Sequence, residues 1–165
     1  MREDDRSGTR LILVCGLPCA GKTTLARRLT GQVPAVRICP DEWMAHLGVD
    51  LFDEPARDRL EQQLWRHTQQ LLDLGQSVIL EFGFWGRAER DEKRRWARAH
   101  GVAVELRYLA VPFEELCRRL EIRNARGGFG TVPIPRVEME RYAGLFQAPD
   151  ADELAQFDDP PPDAG

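Results

Sequence analysis

The densest group of residues suited to chemistry lies near the start of the chain, at Gly16, Leu17, Pro18, Cys19, Ala20, Gly21, Lys22 and Thr23. This is the Walker A pattern G-x-x-x-x-G-K-S/T, placed between the apolar run 11–14 and a helical stretch that begins at Thr24. In that setting the loop amides form an anion nest, Lys22 reaches the β- and γ-phosphates, and the Thr23 hydroxyl ligates Mg²⁺. The pattern predicts that a nucleoside triphosphate binds here. It leaves the fate of the γ-phosphate open, because kinases, GTPases and motor ATPases share it.

Two acidic residues follow predicted strands. Asp41, after the strand 35–39, can orient an acceptor hydroxyl and accept its proton, or it can simply cap the helical turn that begins at Pro40. Glu81 ends an apolar run at the position where an acidic group holds Mg²⁺ directly or through water. Because a buried carboxylate without a partner is costly, we expect Glu81 to have a functional or an ion-paired role.

Candidate acceptor contacts surround these strand ends. Phe84 and Trp85 form either a wall for an aromatic or sugar-like acceptor or part of the core, and their place after a strand favours the wall. Trp43, two residues beyond Asp41, is assigned to the same acceptor site. Arg87 can bind a polar group of the acceptor, although most charges of the helix 87–99 are typical of a solvated face.

A stripe of arginines leads into a loop rich in glycine and proline. Arg119, Arg123 and Arg126 recur at four and three residues on one helical face, and the loop composition of residues 126–135 predicts mobility. Arginine binds phosphate oxygens through two parallel hydrogen bonds and supplies positive charge when a lid closes. A surface helix with salt bridges is the alternative interpretation.

Cysteine spacing argues against a zinc site, since Cys15, Cys19, Cys39 and Cys117 form no C-x-x-C pair and have no partner histidine at zinc-site spacing. Cys15 and Cys117 lie in apolar patterns and are expected in the core. Cys19 lies within the phosphate loop, where positive surroundings could lower its pKa and make the thiol reactive. A tolerated spacer is the favoured alternative for Cys19.

Composition restricts the class of protein. The 165 residues fit one domain, and a formal charge of −4 provides no overall positive field for nucleic acid or for an anionic membrane, although a local basic groove is not excluded. No apolar run approaches the ~20 residues that cross a bilayer, and the first residues lack the apolar segment of a secretory signal. We therefore expect a cytoplasmic protein.

The pattern along the chain alternates strands and helices. We predict disordered tails at residues 1–8 and 158–165 and a single domain at residues 9–157. The predicted strands are 11–15, 35–39, 77–82, 102–111 and, at the end, 153–157; the predicted helices are 21–29, 54–74, 87–99, 113–124 and 136–146. This order predicts a parallel sheet covered on both faces, with ligands at the carboxyl ends of its strands.

Together, residues 16–23, Asp41, residues 78–85 and residues 119–124 resemble the AAA-type P-loop kinases. This group contains chloramphenicol phosphotransferase, zeta toxins, polynucleotide 5′-kinases and gluconate kinase. The resemblance covers about residues 9–157. It implies an α/β three-layer sandwich with a five-stranded parallel sheet of order 2-3-1-4-5, a lid at about residues 124–136, and ATP with Mg²⁺ as the cofactors.

The resemblance also implies roles for individual residues. Lys22, Asp41 and Arg123 are predicted to be catalytic, with Asp41 as the base, and Thr23 and Glu81 to hold the metal ion. Residues 16–24, Arg119, Arg123 and Arg126 are predicted to bind the nucleotide. Phosphoryl transfer to a hydroxyl of a small molecule, such as an antibiotic, a nucleoside or a sugar, is the expected reaction. A polynucleotide 5′-hydroxyl kinase and a nucleotide-binding switch without transfer remain alternatives.

Overall fold

The computed structural model describes residues 8–161, so residues 1–7 and 162–165 of the two predicted tails lie outside the described part. Its elements, in chain order, are β1 (Arg10–Cys15), α1 (Lys22–Thr30), β2 (Ala35–Ile38), α2 (Pro40–His46), α3 (Glu54–Asp73), β3 (Ser77–Gly83), α4 (Arg87–Ala99), β4 (Ala103–Tyr108), α5 (Phe113–Arg126), α6 (Arg136–Leu145) and α7 (Ala151–Leu154). The predicted helices and the first four predicted strands are confirmed, with shifts of a few residues at their ends.

The strands form one parallel sheet of order β2-β3-β1-β4. Leu11 and Leu13 of β1 lie beside Val78 and Leu80 of β3, and this register brings the carboxyl ends of the strands to one edge. The expected parallel α/β architecture is therefore confirmed. Among the described residues the sheet has four strands, so the predicted order 2-3-1-4-5 is wrong in its fifth strand.

The segment expected as the fifth strand is helical because its polar side chains have other partners. Asp150 caps α7 by accepting a hydrogen bond from the Glu153 backbone N–H at 2.7 Å. The Glu153 carboxylate then binds the Arg90 guanidinium of α4 through contacts of 2.6 and 2.9 Å. The edge of β4 is instead met by Asp158, whose backbone N–H donates to Val104 O at 2.8 Å. Asp158 Oδ2 accepts from the Val104 N–H at 2.7 Å.

The core covers both faces of the sheet because successive strand side chains point to opposite sides. Leu11, Leu13 and Cys15 of β1 pack in a cluster that includes residues of α3 and α4. Ile12 and Val14 pack in a second cluster with residues of α1. These two apolar layers hold β1 rigidly, and its carboxyl end carries the loop 16–21.

None of the helices within the described range is both long and apolar enough to span a membrane.

A buried ion pair holds α7 against α4. The side chains of Arg90 and Glu153 are 1% and 2% exposed, and Arg90 also donates to Phe84 O at 2.8 Å. Removing one member of a buried pair leaves the other charge without compensation, which is more harmful than the pair is favourable.

We expect Glu153→Gln to lower the free energy of unfolding by about 3 to 5 kcal/mol, because the Arg90 charge would stay buried without its counter-charge. Urea denaturation followed by circular dichroism measures the change. Glu54→Gln is the matched control, since Glu54 pairs with Arg141 on the surface at 3.0 Å. The control is expected to leave the unfolding midpoint unchanged, and equal shifts in the two variants would contradict the prediction.

Candidate active site

The loop between β1 and α1 is closed around the ammonium group of Lys22. Lys22 Nζ donates to Gly16 O at 3.0 Å and to Leu17 O at 2.8 Å. The Gly16 backbone N–H donates to Gly83 O at 3.0 Å, so the loop is also tied to the end of β3. A Cβ at Gly16 would lie 3.1 Å from Ala20 Cβ, which explains the need for glycine there. The loop is therefore held in shape by its own backbone.

The start of α1 offers free donors to an anion. Its N-cap residue is Gly21, which has φ of 99° and provides no side-chain cap. Within residues 8–161, the backbone N–H groups of residues 21–24 donate to no other group. Unsatisfied amides at a helix N-terminus, next to a lysine, are the chemistry that binds phosphate. The loop thus fits the triphosphate that its sequence predicts.

Two opposing effects act on the pKa of Lys22. Burial lowers its pKa from the usual value of 10.5, and the negative charges of Asp41 and Glu81 oppose this effect, Asp41 the more strongly. Glu81 also accepts a hydrogen bond at 2.7 Å from Thr23, the residue after Lys22, whereas Asp41 acts on Lys22 through its charge.

Glu81 is buried, with its side chain 2% exposed, and both of its oxygens have partners. Thr23 Oγ1 donates to Glu81 Oε1 at 2.7 Å. Arg37 Nε donates to Oε2, and the same guanidinium binds Glu42 at 2.8 and 3.0 Å. The expected ion-paired role of Glu81 is therefore present. Sequence analysis did not identify Arg37 as a site residue. The available signal was a charged arginine inside a short strand of a sheet that also carries a buried glutamate.

The oxygen atoms around Thr23 suit a metal ion only in part. The Thr23 hydroxyl and Glu81 Oε1 are adjacent oxygen atoms of the kind that Mg²⁺ prefers, whereas Arg37 occupies the other carboxylate oxygen. No group of three or more His, Cys, Asp or Glu side chains in the described part could hold a metal ion. A magnesium ion here would thus depend on phosphate oxygens and water for most of its ligands.

Asp41 lies in the first turn of α2 and does not cap it, because the N-cap residue is Cys39. Its side chain is 58% exposed, and Oδ1 accepts a hydrogen bond from Arg57 of α3 at 2.7 Å. Asp41 is therefore an accessible carboxylate whose charge acts on Lys22. Arg57 was missed in the sequence, since an arginine in the first turn of a charged helix carries no distinguishing signal.

Of the three arginines predicted to bind the nucleotide, one contacts the phosphate loop and a second acts on it through its charge. Arg119 Nη1 donates to Cys19 O at 3.3 Å. Arg123 acts electrostatically on Cys19, and its Nε atom is buried with no acceptor among the described residues. Arg126 is exposed at the end of α5.

The segment predicted as a lid reaches across to α2. Residues 127–135 connect α5 to α6 without regular structure. The Asn124 side chain closes the base of the segment by donating to Ile134 O at 2.8 Å and accepting from its N–H at 3.1 Å. At the tip, the rings of Phe129 and His46 lie 4.8 Å apart in an edge contact. The segment therefore contacts the helix that carries Asp41.

The residues predicted to contact the acceptor are dispersed. Phe84 is fully buried and stacks on Phe82, so its side chain belongs to the core. Trp85 Nε1 donates to Gly16 O at 3.2 Å, which makes it a support of the phosphate loop. Arg87 lies 3.8 Å from both Asp91 and Asp150 in surface ion pairs. Trp43 is 46% exposed on α2.

The Cys19 thiol is less reactive than its positive surroundings suggested. Burial raises its pKa above the usual 9.0 and outweighs the lowering effects of Arg123, Lys22 and Arg119. The less favoured alternative, a lowered pKa, is therefore wrong, because the local sequence shows nearby charges but not desolvation. The favoured interpretation of Cys19 as a tolerated spacer stays a prediction.

An acidic cavity of about 280 Å³ lies between α3 and α4, beside the end of β3. Its lining consists of Asp58, Glu61, Gln62, Trp65, Phe82, Glu89, Glu92 and Lys93. Burial raises the pKa of Glu61 to about 8 and the pKa of Glu89 to about 7. The sequence did not predict this cavity, because it forms only where two helices meet.

The chain matches a protein-family model over most of its length. Residues 11–149 match the model AAA_33, described as an AAA domain. The search of curated proteins gives no match.

Several solved structures share the fold at low identity. A chain in the structure of the Pnkp1/Rnl/Hen1 RNA repair complex is 21% identical with a TM-score of 0.69, and the match covers 83% of this chain and 43% of that one. This chain therefore spans less than half of that relative. A sugar kinase from Janibacter sp. HTCC2649 is 24% identical, with a TM-score of 0.62 and coverage of 88% and 82%. A gluconokinase from Sinorhizobium meliloti 1021 is 15% identical, with a TM-score of 0.61 and coverage of 89% and 88%.

The family match contains the whole phosphate loop, both strand-end carboxylates and the segment between α5 and α6. The solved structures share the overall fold of this chain. The chain belongs to the AAA domain family.

Proposed function

We propose that this protein is an ATP-dependent kinase that transfers the γ-phosphate to a hydroxyl group of a small molecule. The observation that carries the proposal is that Asp41, an accessible carboxylate held by Arg57 at 2.7 Å, follows β2 at the same edge of the parallel sheet as the phosphate loop after β1. A nucleotide-binding switch needs no such carboxylate, whereas a kinase needs a group that orients the acceptor hydroxyl beside the phosphates.

In this reaction the protein's own groups bind the phosphates, accept the proton of the hydroxyl and neutralise negative charge. The N–H groups of residues 21–24 and the ammonium of Lys22 would hold the phosphates, and Thr23 with Glu81 would contribute oxygen ligands to Mg²⁺. Bound ATP and Mg²⁺ would supply the phosphoryl group and part of the positive charge around it. Asp41 accepts the proton of the hydroxyl. Arg119, Arg123 and Arg126 neutralise negative charge when residues 127–135 act as a lid.

The cavity between α3 and α4 supports a small acceptor without negative charge. It adjoins the base through Arg57, whose Nη1 atom lies 2.7 Å from Asp41 Oδ1 and 3.9 Å from Glu61 Oε1. Its lining has four carboxyl groups and a single lysine, so it offers little positive charge to an anionic acceptor. The rings of Trp65 and Phe82 offer apolar surface to a sugar or an aromatic group.

A polynucleotide 5′-hydroxyl kinase is the second candidate, favoured by the structural likeness to a chain of an RNA repair complex. The acidic cavity and the formal charge of −4 argue against an extended polyanion near the base. Transfer of labelled γ-phosphate to pooled metabolites, to antibiotics and to oligonucleotides with a free 5′-hydroxyl separates the candidates. Labelled oligonucleotide alone would favour the second candidate, and tight nucleotide binding with no labelled product would favour a switch.

We expect Asp41→Asn to reduce phosphoryl transfer by about 10² to 10⁴-fold, because the hydroxyl would lose its proton acceptor. ATP affinity, measured by calorimetry, should remain nearly unchanged. Lys22→Ala should reduce both quantities, since Lys22 contacts the phosphates themselves.

Asp152→Asn is the matched control for Asp41→Asn, because Asp152 is exposed on α7, away from the site. It should leave transfer unchanged. Full turnover by the Asp41→Asn protein would show that the base is wrongly assigned.

The charge of the cavity can be tested without an acceptor. The pKa of Glu61 is about 8 in the folded protein and 4.5 is its ordinary value, so between these values the folded state binds the extra proton. The free energy of unfolding should therefore fall as the pH rises from 6 to 8.5, with about 2 kcal/mol of the fall due to Glu61. Urea titrations at both pH values should show a smaller fall in Glu61→Gln. Equal falls in the two proteins would contradict the raised pKa.

A further inference from the structure

We infer that Arg57 is a positioning residue that fixes the carboxylate of Asp41 for phosphoryl transfer. The inference rests on the proposed function, because it concerns the same base. It adds a residue whose side chain acts through Asp41 and not through the phosphates.

The contact between the two side chains is short and involves one carboxylate oxygen. Arg57 Nη1 donates to Asp41 Oδ1 at 2.7 Å, within the range of a strong charge-assisted hydrogen bond. Among residues 8–161, no donor reaches the second oxygen, Oδ2. The arrangement holds the carboxylate by one oxygen and leaves the other to accept a proton.

Arg57 itself is held from several directions. Its Nη2 atom donates to Leu51 O at 3.1 Å, and its side chain is only 28% exposed. Its backbone N–H donates to Asp53 O at 2.9 Å in the first turn of α3. Asp53 also caps this helix by accepting from the Ala56 N–H at 2.9 Å. The guanidinium is therefore anchored on a long, capped helix.

Asp41 needs such an anchor because its own surroundings restrain it little. It is 58% exposed and lies on α2, a helix of seven residues whose cap residue makes no side-chain hydrogen bond. A free aspartate there would sample several rotamers, and a reacting group displaced by about 1 Å can lose 10²-fold in rate. Fixing one rotamer keeps Oδ2 in one place, where an acceptor hydroxyl can meet it.

The competing carboxylate near Arg57 makes a weaker contact. Glu61, one turn further along α3, lies 3.9 Å from the same Nη1 atom, beyond hydrogen-bond distance. The shorter contact to Asp41 therefore determines the orientation of the guanidinium.

A double-mutant cycle tests the inference, with labelled γ-phosphate of Mg·ATP as donor and water as the acceptor probe, together with any acceptor that the screen identifies. Arg57→Gln should lower kcat by about 10- to 100-fold with the KM for ATP unchanged. In the Asp41→Asn background the same change should alter kcat by less than about 2-fold, because its effect passes through the missing carboxylate.

Two further variants separate positioning from a structural role. Arg57→Lys keeps the charge but cannot bind Asp41 and Leu51 together, so it should give an intermediate kcat. Arg59→Gln removes the same charge from an exposed position on α3 and should leave kcat unchanged. A loss of equal size in the wild-type and Asp41→Asn backgrounds, or an unchanged kcat in Arg57→Gln, would overturn the inference while the proposed function stands. Absence of transfer by the wild-type protein would overturn the proposed function and this inference with it.

Discussion

The carboxylate of Glu81 is the point at which the phosphate loop, the sheet and the helix of the candidate base are joined. It accepts from Thr23 at the start of α1 and from Arg37 of β2, and Arg37 in turn binds Glu42 of α2. A carboxylate that is 2% exposed is tolerable only with such partners. One buried charge therefore sets the relative positions of β3, α1, β2 and α2. The residues of the candidate site lie on these elements and are positioned by them.

The site divides into a positively charged region and a region rich in carboxyl groups. On one side, Lys22, Arg119 and the free amides of residues 21–24 provide positive potential for phosphates. On the other side, the cavity lining contains four carboxyl groups, and burial raises the pKa of two of them, Glu61 and Glu89. Asp41 and Arg57 lie between the two regions. This division explains how one small domain can treat a polyanionic nucleotide and a second ligand differently.

Features encoded by neighbouring residues could be predicted from the sequence. The phosphate loop is one, because its spacing, its preceding strand and its following helix lie within about twenty residues. The position of Asp41 followed from the rule that ligands gather at strand ends. The prediction of a final strand was wrong because Glu153 pairs with Arg90, which lies 63 residues earlier and could not be identified as its partner from the local pattern. The cavity and Arg57 depend on how α2, α3 and α4 pack, and the raised pKa of Cys19 depends on burial, which adjacent charges do not reveal.

The pairing of Asp158 with Val104 has a consequence for association between molecules. An outer strand exposes a row of amide and carbonyl groups onto which a strand of another molecule can add, which is a common route to aggregation. Both backbone groups of Val104 are already engaged, its N–H by the Asp158 side chain and its carbonyl by the Asp158 backbone. A single aspartate thus interrupts the hydrogen-bonding row of β4 and protects that border of the sheet against intermolecular strand addition.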